Sequence, residues 1–450
     1  MTEKKGNVDS KQQDGQLGLA SLLAIGIGTT IGAGVVTVTG QAVGVTGRSA
    51  WLAYLIAIIW GAFNCLPAFF MASAIKVRGG GYSVVAGMMG PRIGGIYSCV
   101  SIAMALNFAT FCVGFAQYIK SLYPGANSKA VALLILLVFY LLNLTGLDLF
   151  ARVQSILTVF LLLALVAFGI SGLPKVSPEV FAVTDTGFLM NGFDGLIQAV
   201  TMFVFSTIAY GILINFSGNT RDSKKNVPKA MALTVLVLCL VYPLVAVVAG
   251  GVLPVAEAAN QPLTVVAAAI WPKPLVVLFV IAGPLAALVT TLNGNFANYG
   301  INLIGAAKDG WFPDFMAKTN RFGAPYAFLT LGCIIALVPI LLDYNISAII
   351  RNMVIVFNVN SFFNFLSAVN MPRKYPEKWE GSSLHIPNSI FYVLMVFSGI
   401  CVLASTYLQI RNLEPFVILF TFGLYAAIII YGTIRYKKGY VHFNREINIE

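Results

Sequence analysis

The chain has 450 residues, of which 58% are hydrophobic and only 10% charged, with a mean hydropathy of +0.85. This composition excludes an ordinary water-soluble protein, and the net charge of +11 comes from basic residues scattered over short segments rather than one surface for a nucleic acid. Since about 20 apolar residues cross a bilayer, the chain is long enough for about a dozen crossings.

Continuous apolar runs predict an all-α integral membrane protein, because the alternation of a barrel strand is missing. The polar start, 1–16, is predicted to be a cytoplasmic tail rather than a signal peptide. Residues 17–434 are predicted to form one transmembrane domain and 435–450 a second cytoplasmic tail. The twelve predicted helices, numbered 1 to 12 in chain order, cover 17–45, 50–75, 93–120, 129–147, 151–172, 195–217, 229–253, 274–305, 326–342, 350–370, 389–408 and 414–434.

Helix 1 contains the unusual stretch IGIGTTIGAGVV at 25–36. Each glycine costs about 1 kcal/mol relative to alanine in a helix interior, so the cluster opposes an uninterrupted helix. One interpretation is tight packing, since Gly28 and Gly32 form a small-xxx-small pair. The other is an interruption that frees backbone groups, and the number of glycines favours it.

Helix 6 contains a second diluted stretch, FVFSTIAYGILINFSGN at 203–219. It lies five helices after helix 1. Two Gly-interrupted segments at corresponding positions of two halves are typical of inverted repeats, with a binding site between the interruptions. The predicted repeats cover about 17–172 and 195–370, and helices 11 and 12, about 389–434, lie outside them.

The distribution of basic residues predicts that both termini are cytoplasmic. With that orientation, 21 of the 28 Lys and Arg residues fall in inner segments and the remaining seven in outer ones, as the positive-inside rule requires. The seven outer residues are Arg48, Lys120, Lys129, Lys175, Lys273, Arg351 and Arg411.

Few side chains suited to catalysis fall inside the predicted helices. The six cysteines have spacings of neither a metal site nor a disulfide framework, and both histidines lie outside the helices. None of the 17 acidic residues falls in the middle of a helix. We therefore predict no enzyme activity, no cofactor and no metal site.

Several motifs occur in the order found in one transporter family. They are GTTIGAGVV at 28–36, GGGYSVVAGMMGP at 79–91, NLTGLDLFARVQSILT at 143–158, DSKKNVPKAM at 222–231, AAKDGWFPDFMAKTNRFGAP at 306–325 and MPRKYPE at 371–377. Together they resemble the amino acid-polyamine-organocation (APC) superfamily of permeases. The resemblance implies a LeuT-like fold with twelve helices, a five-plus-five inverted repeat and interrupted helices 1 and 6. It also implies secondary transport of amino acids across the cytoplasmic membrane by alternating access.

By position, the resemblance assigns substrate contacts to both interruptions. In helix 1 these are Thr30, Ile31, Gly32, Ala33 and Gly34, and in helix 6 they are Phe205, Ser206 and Ile208. Phe205 falls where similar permeases have an aromatic lid. Among the asparagines inside helices, Asn107 and Asn295 fall closest to family pocket positions, although an amide in a membrane more often bonds a neighbouring helix.

The chain departs from the family pattern where several members have charged residues. Phe70 replaces an acid of helix 2, Gly218 and Asn219 replace glutamates after helix 6, Leu161 falls on a lysine position of helix 5, and Gly211 on an acidic position of helix 6. A second positive charge on the substrate would therefore have no acid as partner. We predict a neutral zwitterionic amino acid rather than arginine, lysine or a polyamine.

The sequence leaves several alternatives open. A receptor or sensor could use the same fold without transport, and an exchanger could trade an amino acid for its amine product. Proton or sodium coupling is also open. Thr290 and Thr291 of helix 8 could supply oxygens to a sodium ion, but such threonines more often bond their own helix.

Overall fold

The structure, a computed structural model, describes residues 17–32, 34–342, 346–410 and 415–442. Every predicted segment contains a helix. Helix 1 comprises Leu19–Thr30, Gly34–Val38 and Thr39–Thr46; helix 2, Ala50–Ala74; helix 3, Pro91–Ser101, Ile102–Ala105 and Leu106–Leu122; helix 4, Ser128–Asn143; helix 5, Leu147–Gly172; helix 6, Gly192–Val204, Phe205–Thr207 and Ala209–Asn219. Helix 7 is Ser223–Gly251; helix 8, Lys273–Val280, Ile281–Leu285 and Ala286–Lys308; helix 9, Tyr326–Leu341; helix 10, Ile346–Lys374; helix 11, Asn388–Ile410; helix 12, Pro415–Lys437.

Seven helical stretches within the described residues are long and apolar enough to cross a membrane. Three further apolar helices are shorter, namely Leu19–Thr30, Ser128–Asn143 and Tyr326–Leu341. One of the seven stretches, Thr39–Ala74, joins the end of helix 1 to helix 2. Its chain direction changes at Gly47, which has a φ of 74°, and a Cβ there would overlap with the carbonyl oxygen of Gly187.

The connection between predicted helices 2 and 3, residues 76–92, contains a further helix that was not predicted. Residues Gly80–Met89 form a helix that is buried from Gly80 to Met88. The glycines of this segment allow it, because Gly79 and Gly80 both have positive φ, and a Cβ at Gly80 would lie 3.0 Å from the Cα of Asn302 in helix 8. The segment therefore packs into the protein instead of lying on its surface.

Helices 1, 3, 6 and 8 form the centre of the protein. The first part of helix 1 packs against helices 5, 7 and 8 and the second part of helix 6. Helix 8 is buried along almost all of Ala286–Lys308, whereas helices 4, 5 and 11 expose large apolar side chains. The exposed apolar faces are those expected of helices in contact with lipid, and the polar residues of helix 8 face protein.

The predicted outer end has an ion-pair cluster around Arg48. The Arg48 side chain, 15% exposed, contacts the carboxylates of Asp185, at 2.6 Å, and Glu179. Its backbone N–H donates to the carbonyl oxygen of Gly187. The cluster joins the turn between helices 1 and 2 to the connection between helices 5 and 6.

At the predicted inner end, Asp309 follows helix 8 and accepts a hydrogen bond of 2.8 Å from the hydroxyl of Tyr82. Burial raises the pKa of the Asp309 carboxyl to about 6. The backbone carbonyl of the same residue accepts from the N–H of His442. Asp309 thus joins the short helix Gly80–Met89, helix 8 and the segment after helix 12.

Candidate functional site

Helix 1 is interrupted within its glycine-rich stretch. The α-helix ends at Thr30, and Ile31 has φ −78° and ψ 83°, outside the helical region. The N–H of Gly32 donates to the carbonyl oxygen of Thr30, only two residues back. Helical geometry resumes at Gly34 and becomes α-helical again at Thr39. Ala33 lies outside the described residues.

Helix 6 changes its geometry at the corresponding place. The α-helix ends at Val204, and the chain continues as 3₁₀-helix through Phe205–Thr207 and Ala209–Asn219. Long 3₁₀ runs are uncommon and mark strained or functional segments. Thr207 donates to the carbonyl of Ala57 in helix 2, and the Cys65 thiol of the same helix donates to the carbonyl of Ile208.

The two interruptions meet directly. A Cβ at Gly34 would overlap with the side chain of Ser206, so only glycine allows this approach of helices 1 and 6. The hydroxyl of Tyr242, in helix 7, lies 3.0 Å from the carbonyl oxygen of Thr30 and 2.9 Å from that of Ser206. One phenol proton is therefore shared between the carbonyls of the two interruptions.

Two more buried tyrosines bond the backbone of helix 1 after its interruption. The hydroxyl of Tyr54 lies 3.3 Å from the carbonyl oxygen of Gly34, and its ring stacks on Phe203 with 3.4 Å between centroids. The hydroxyl of Tyr118 donates to the carbonyl of Val36 at 2.6 Å. Since no bulk water reaches a membrane interior, these phenols replace part of the lost helical bonding.

Helix 8 forms another wall of the interruption. A Cβ at Gly32 would overlap with the hydroxyl of Thr291, which itself donates to the carbonyl of Gly28 at 3.1 Å. The amide of Asn295 donates to the carbonyl of Thr291 at 2.8 Å. Both interpretations of the glycine cluster therefore apply. The glycines pack against neighbouring helices, and the α-helix is interrupted among them.

The structure brings together most of the predicted contact residues. Thr30, Ile31, Gly32, Gly34, Ser206 and Asn295 lie around the interruptions and are buried, with Asn295 connected through Thr291. Phe205 and Ile208 contact other helices: the Phe205 ring meets Phe357 of helix 10, and the Ile208 carbonyl accepts from Cys65 of helix 2. Asn107 of helix 3 is 1% exposed, and neither of its amide atoms has a hydrogen-bond partner among the described residues.

Polar side chains of helix 5 contact helix 1. Leu161 is fully buried, but Thr158 is the residue whose hydroxyl donates to helix 1, at 3.0 Å from the carbonyl of Ala24. A Cβ at Gly28 would lie 2.5 Å from the Gln154 amide nitrogen. The side chains that meet the first part of helix 1 from helix 5 are thus neutral hydrogen-bonding groups.

Ile208 lines a cavity that lies between helices 2, 3, 6, 8 and 10. Its volume is about 60 Å³. Phe357 forms part of its wall and makes an edge-to-face contact with Phe205, at 5.7 Å between centroids. Its polar lining residues are mostly amides, namely Asn64, Asn215, Asn298, Asn302, Asn360 and Asn364, together with Cys65, Tyr97 and Ser361.

The electrostatic character of this region is neutral. Among the described residues that line the cavity, none is Asp, Glu, Lys, Arg or His. The described part of the chain contains no cluster of His, Cys, Asp and Glu that could hold a metal ion. The hydroxyls of Thr290 and Thr291 both lie within hydrogen-bond distance of the carbonyl of Ala287 in their own helix. The region is suited to a ligand without net charge.

Comparison with known proteins identifies the family. Residues 17–434 match the family model described as amino acid permease. The chain belongs to this family. Among the relatives of this permease is an uncharacterized protein of Methanocaldococcus jannaschii, 26% identical over 336 residues, which are 72% of this chain and 76% of the relative.

Two relatives have names that describe a transported substrate. The branched-chain amino acid permease BcaP of Bacillus subtilis is 23% identical over 69% of this chain and 71% of its own. The D-serine/D-alanine/glycine transporter of Escherichia coli is 23% identical over 52% of each chain. With its apolar helices, this permease is a multi-pass membrane protein of a family that transports amino acids.

Several residues of the site were not predicted from the sequence. Tyr54, Tyr118 and Tyr242 are amphipathic residues inside apolar helices, and a tyrosine at such a depth needs a hydrogen-bond partner. That signal marks them as buried donors, but the identity of the acceptor depends on which helices meet. Asn64 and Asn215 were missed for the same reason.

Proposed function

We propose that this permease transports neutral amino acids across the cytoplasmic membrane by alternating access around helices 1 and 6. The observation that carries the proposal is the meeting of two interrupted helices at the hydroxyl of Tyr242. Helix interruptions expose N–H and carbonyl groups, which bind the carboxylate and the ammonium group of an amino acid. The residues proposed for these contacts lie at the two interruptions. They are Thr30, Ile31, Gly32, Ala33 and Gly34 in helix 1 and Phe205, Ser206 and Ile208 in helix 6.

The proposed architecture is twelve membrane-crossing helices, of which ten form two inverted repeats, with both termini cytoplasmic. The packing supports a twofold relation between the halves. Helix 1 packs on helix 7 as helix 6 packs on helix 2, and helix 3 contacts helices 9 and 10 as helix 8 contacts helices 4 and 5. If helices 1–5 correspond in order to helices 6–10, each of these contacts in one half has its counterpart in the other.

The neutral lining of the cavity supports a neutral substrate. A cationic side chain there would lose its hydration without gaining a carboxylate, at a cost of about 2.5 kcal/mol or more on insertion scales. The names of the two relatives from Bacillus subtilis and Escherichia coli describe amino acids with uncharged side chains. We therefore expect arginine and lysine to be poor substrates.

Counterflow into proteoliposomes tests the proposal. Vesicles containing the purified protein are loaded with excess unlabelled amino acid, and each labelled L- or D-amino acid is supplied outside. We expect accumulation of neutral amino acids but not of arginine. Accumulation of arginine equal to that of the best neutral compound would contradict the substrate class, and accumulation of no compound would contradict transport itself.

A further inference from the structure

The asparagine-lined cavity contains polar atoms that lack a partner in the described part of the protein. The Oδ1 of Asn64, in helix 2, and the Nδ2 of Asn360, in helix 10, are both buried without a hydrogen bond. The two residues are 8% and 5% exposed, and both line the cavity. A buried polar atom without a partner is destabilising, so these atoms indicate a ligand or water between the helices.

Several of the surrounding amides are held in place by hydrogen bonds. Asn215 donates to Asn298 at 2.7 Å, which joins helix 6 to helix 8. The Oδ1 of Asn302 accepts from the backbone N–H of Tyr82 at 3.2 Å. The other end of the Asn360 amide, its Oδ1, lies 3.1 Å from the hydroxyl of Ser101. The wall of the cavity is therefore ordered by these hydrogen bonds, which include the bonded end of Asn360.

The chemistry of a matching ligand follows from this pair of atoms. The free Oδ1 of Asn64 is an acceptor and the free Nδ2 of Asn360 is a donor. A hydroxyl group can donate to the oxygen and accept from the nitrogen. A methyl group in the same place would leave both amide ends unpaired, and a charged group would find no opposite charge.

The size of the cavity limits the ligand further. Its volume is room for about four to six water-sized groups, at about 10–15 Å³ for each. A small side chain fits into this space. The cavity begins at Ile208, two residues after Ser206, so a substrate bound at the interruptions could extend its side chain into it.

We propose that this cavity receives the side chain of the transported amino acid and selects small hydroxyl-bearing amino acids of the serine type over their apolar isosteres. The inference rests on the proposed transport function and specifies its substrate class. Asn64 and Asn360 provide the selectivity, and the interruptions of helices 1 and 6 bind the two charged ends common to all amino acids.

Competition between isosteres tests the inference. Serine and 2-aminobutyrate differ by a hydroxyl in place of a methyl group, as do threonine and valine. In counterflow of labelled serine, we expect wild-type protein to be inhibited by serine at about tenfold lower concentration than by 2-aminobutyrate. Asn64→Leu and Asn360→Leu should each reduce this ratio to about one, because they replace the amide with an apolar group of similar size.

Asn370→Leu is the matched control. Asn370 lies on helix 10 as Asn360 does, but its amide donates to the carbonyl of Leu366 in the same helix, and it does not line the cavity. This variant should keep the wild-type ratio. Asn64→Ser and Asn360→Ser, which retain a hydrogen-bonding group, should keep part of the preference and serve if a leucine variant does not fold.

The outcomes separate this inference from the proposed function. Two results would overturn the inference alone and indicate a cavity that holds only water. One is counterflow by the wild-type protein without a preference for hydroxyl-bearing amino acids. The other is a preference that is unchanged in folded Asn64 and Asn360 variants. Absence of counterflow for every amino acid would overturn the transport function and the inference together.

Discussion

Removal of the Tyr242 hydroxyl should weaken substrate binding. In Tyr242→Phe, the carbonyls of Thr30 and Ser206 lose a donor that lies 3.0 and 2.9 Å from them. Since all three residues are buried and no water replaces the donor, the loss is about 1–3 kcal/mol. If substrate binds when helices 1 and 6 are joined, its apparent affinity should fall about five- to hundredfold, since 1.4 kcal/mol is tenfold.

Tyr118→Phe is the appropriate comparison. Tyr118 also donates from a buried phenol to the backbone of helix 1, at 2.6 Å from the carbonyl of Val36, but it does not join helix 1 to helix 6. Both variants should lower the midpoint of thermal unfolding in detergent, and only Tyr242→Phe should weaken substrate binding measured by titration calorimetry. Equal affinities in the two variants would refute the role of Tyr242 as the bond between the interruptions.

Three further changes test other parts of the structure. Gly34→Ala should destabilise the protein by about 1–3 kcal/mol in thermal unfolding, because its Cβ would overlap with Ser206; Ser206→Gly in the same chain should restore part of the loss, and purely additive effects would contradict the contact. Arg48→Gln should lower the unfolding midpoint by leaving the Asp185 carboxylate without its cation, and an unchanged midpoint would show that the outer cluster adds no stability. Burial raises the pKa of Asp309 from 3.8 to about 6, so the folded state holds this proton more tightly than the unfolded chain and loses stability as the pH rises from 4 to 7. Relative to Asp309→Asn, the wild-type midpoint should therefore fall over this interval, and parallel pH profiles would contradict the assignment.

The positions of the helices could be predicted from the sequence because apolar runs of the right length have few other solutions in a membrane. The same is true of the helix 1 interruption, since a cluster of glycines such as Gly26, Gly28, Gly32 and Gly34 opposes an α-helix locally. These features depend on neighbouring residues in the chain, so a local pattern is sufficient to predict them.

Features that depend on distant residues were not accessible in the same way. The polar segment after helix 2 is a buried helix because Gly80 fits against helix 8, more than 200 residues later. The partner of Tyr242 is defined only when helices 1, 6 and 7 are assembled. Likewise, the asparagines inside helices could be noticed in the sequence, but which of them share one cavity depends on the packing of five helices.

The central claim is that the interruption of helix 1 forms the substrate site. The most direct test is counterflow of a neutral amino acid by wild-type protein, Gly32→Leu and Gly423→Leu, each purified and shown to be folded. A side chain at Gly32 would overlap with Thr291, whereas an added Cβ at Gly423 in helix 12 would meet none of the described residues within 4 Å. We predict that Gly32→Leu abolishes accumulation and that Gly423→Leu retains it. Wild-type accumulation by Gly32→Leu would contradict the account.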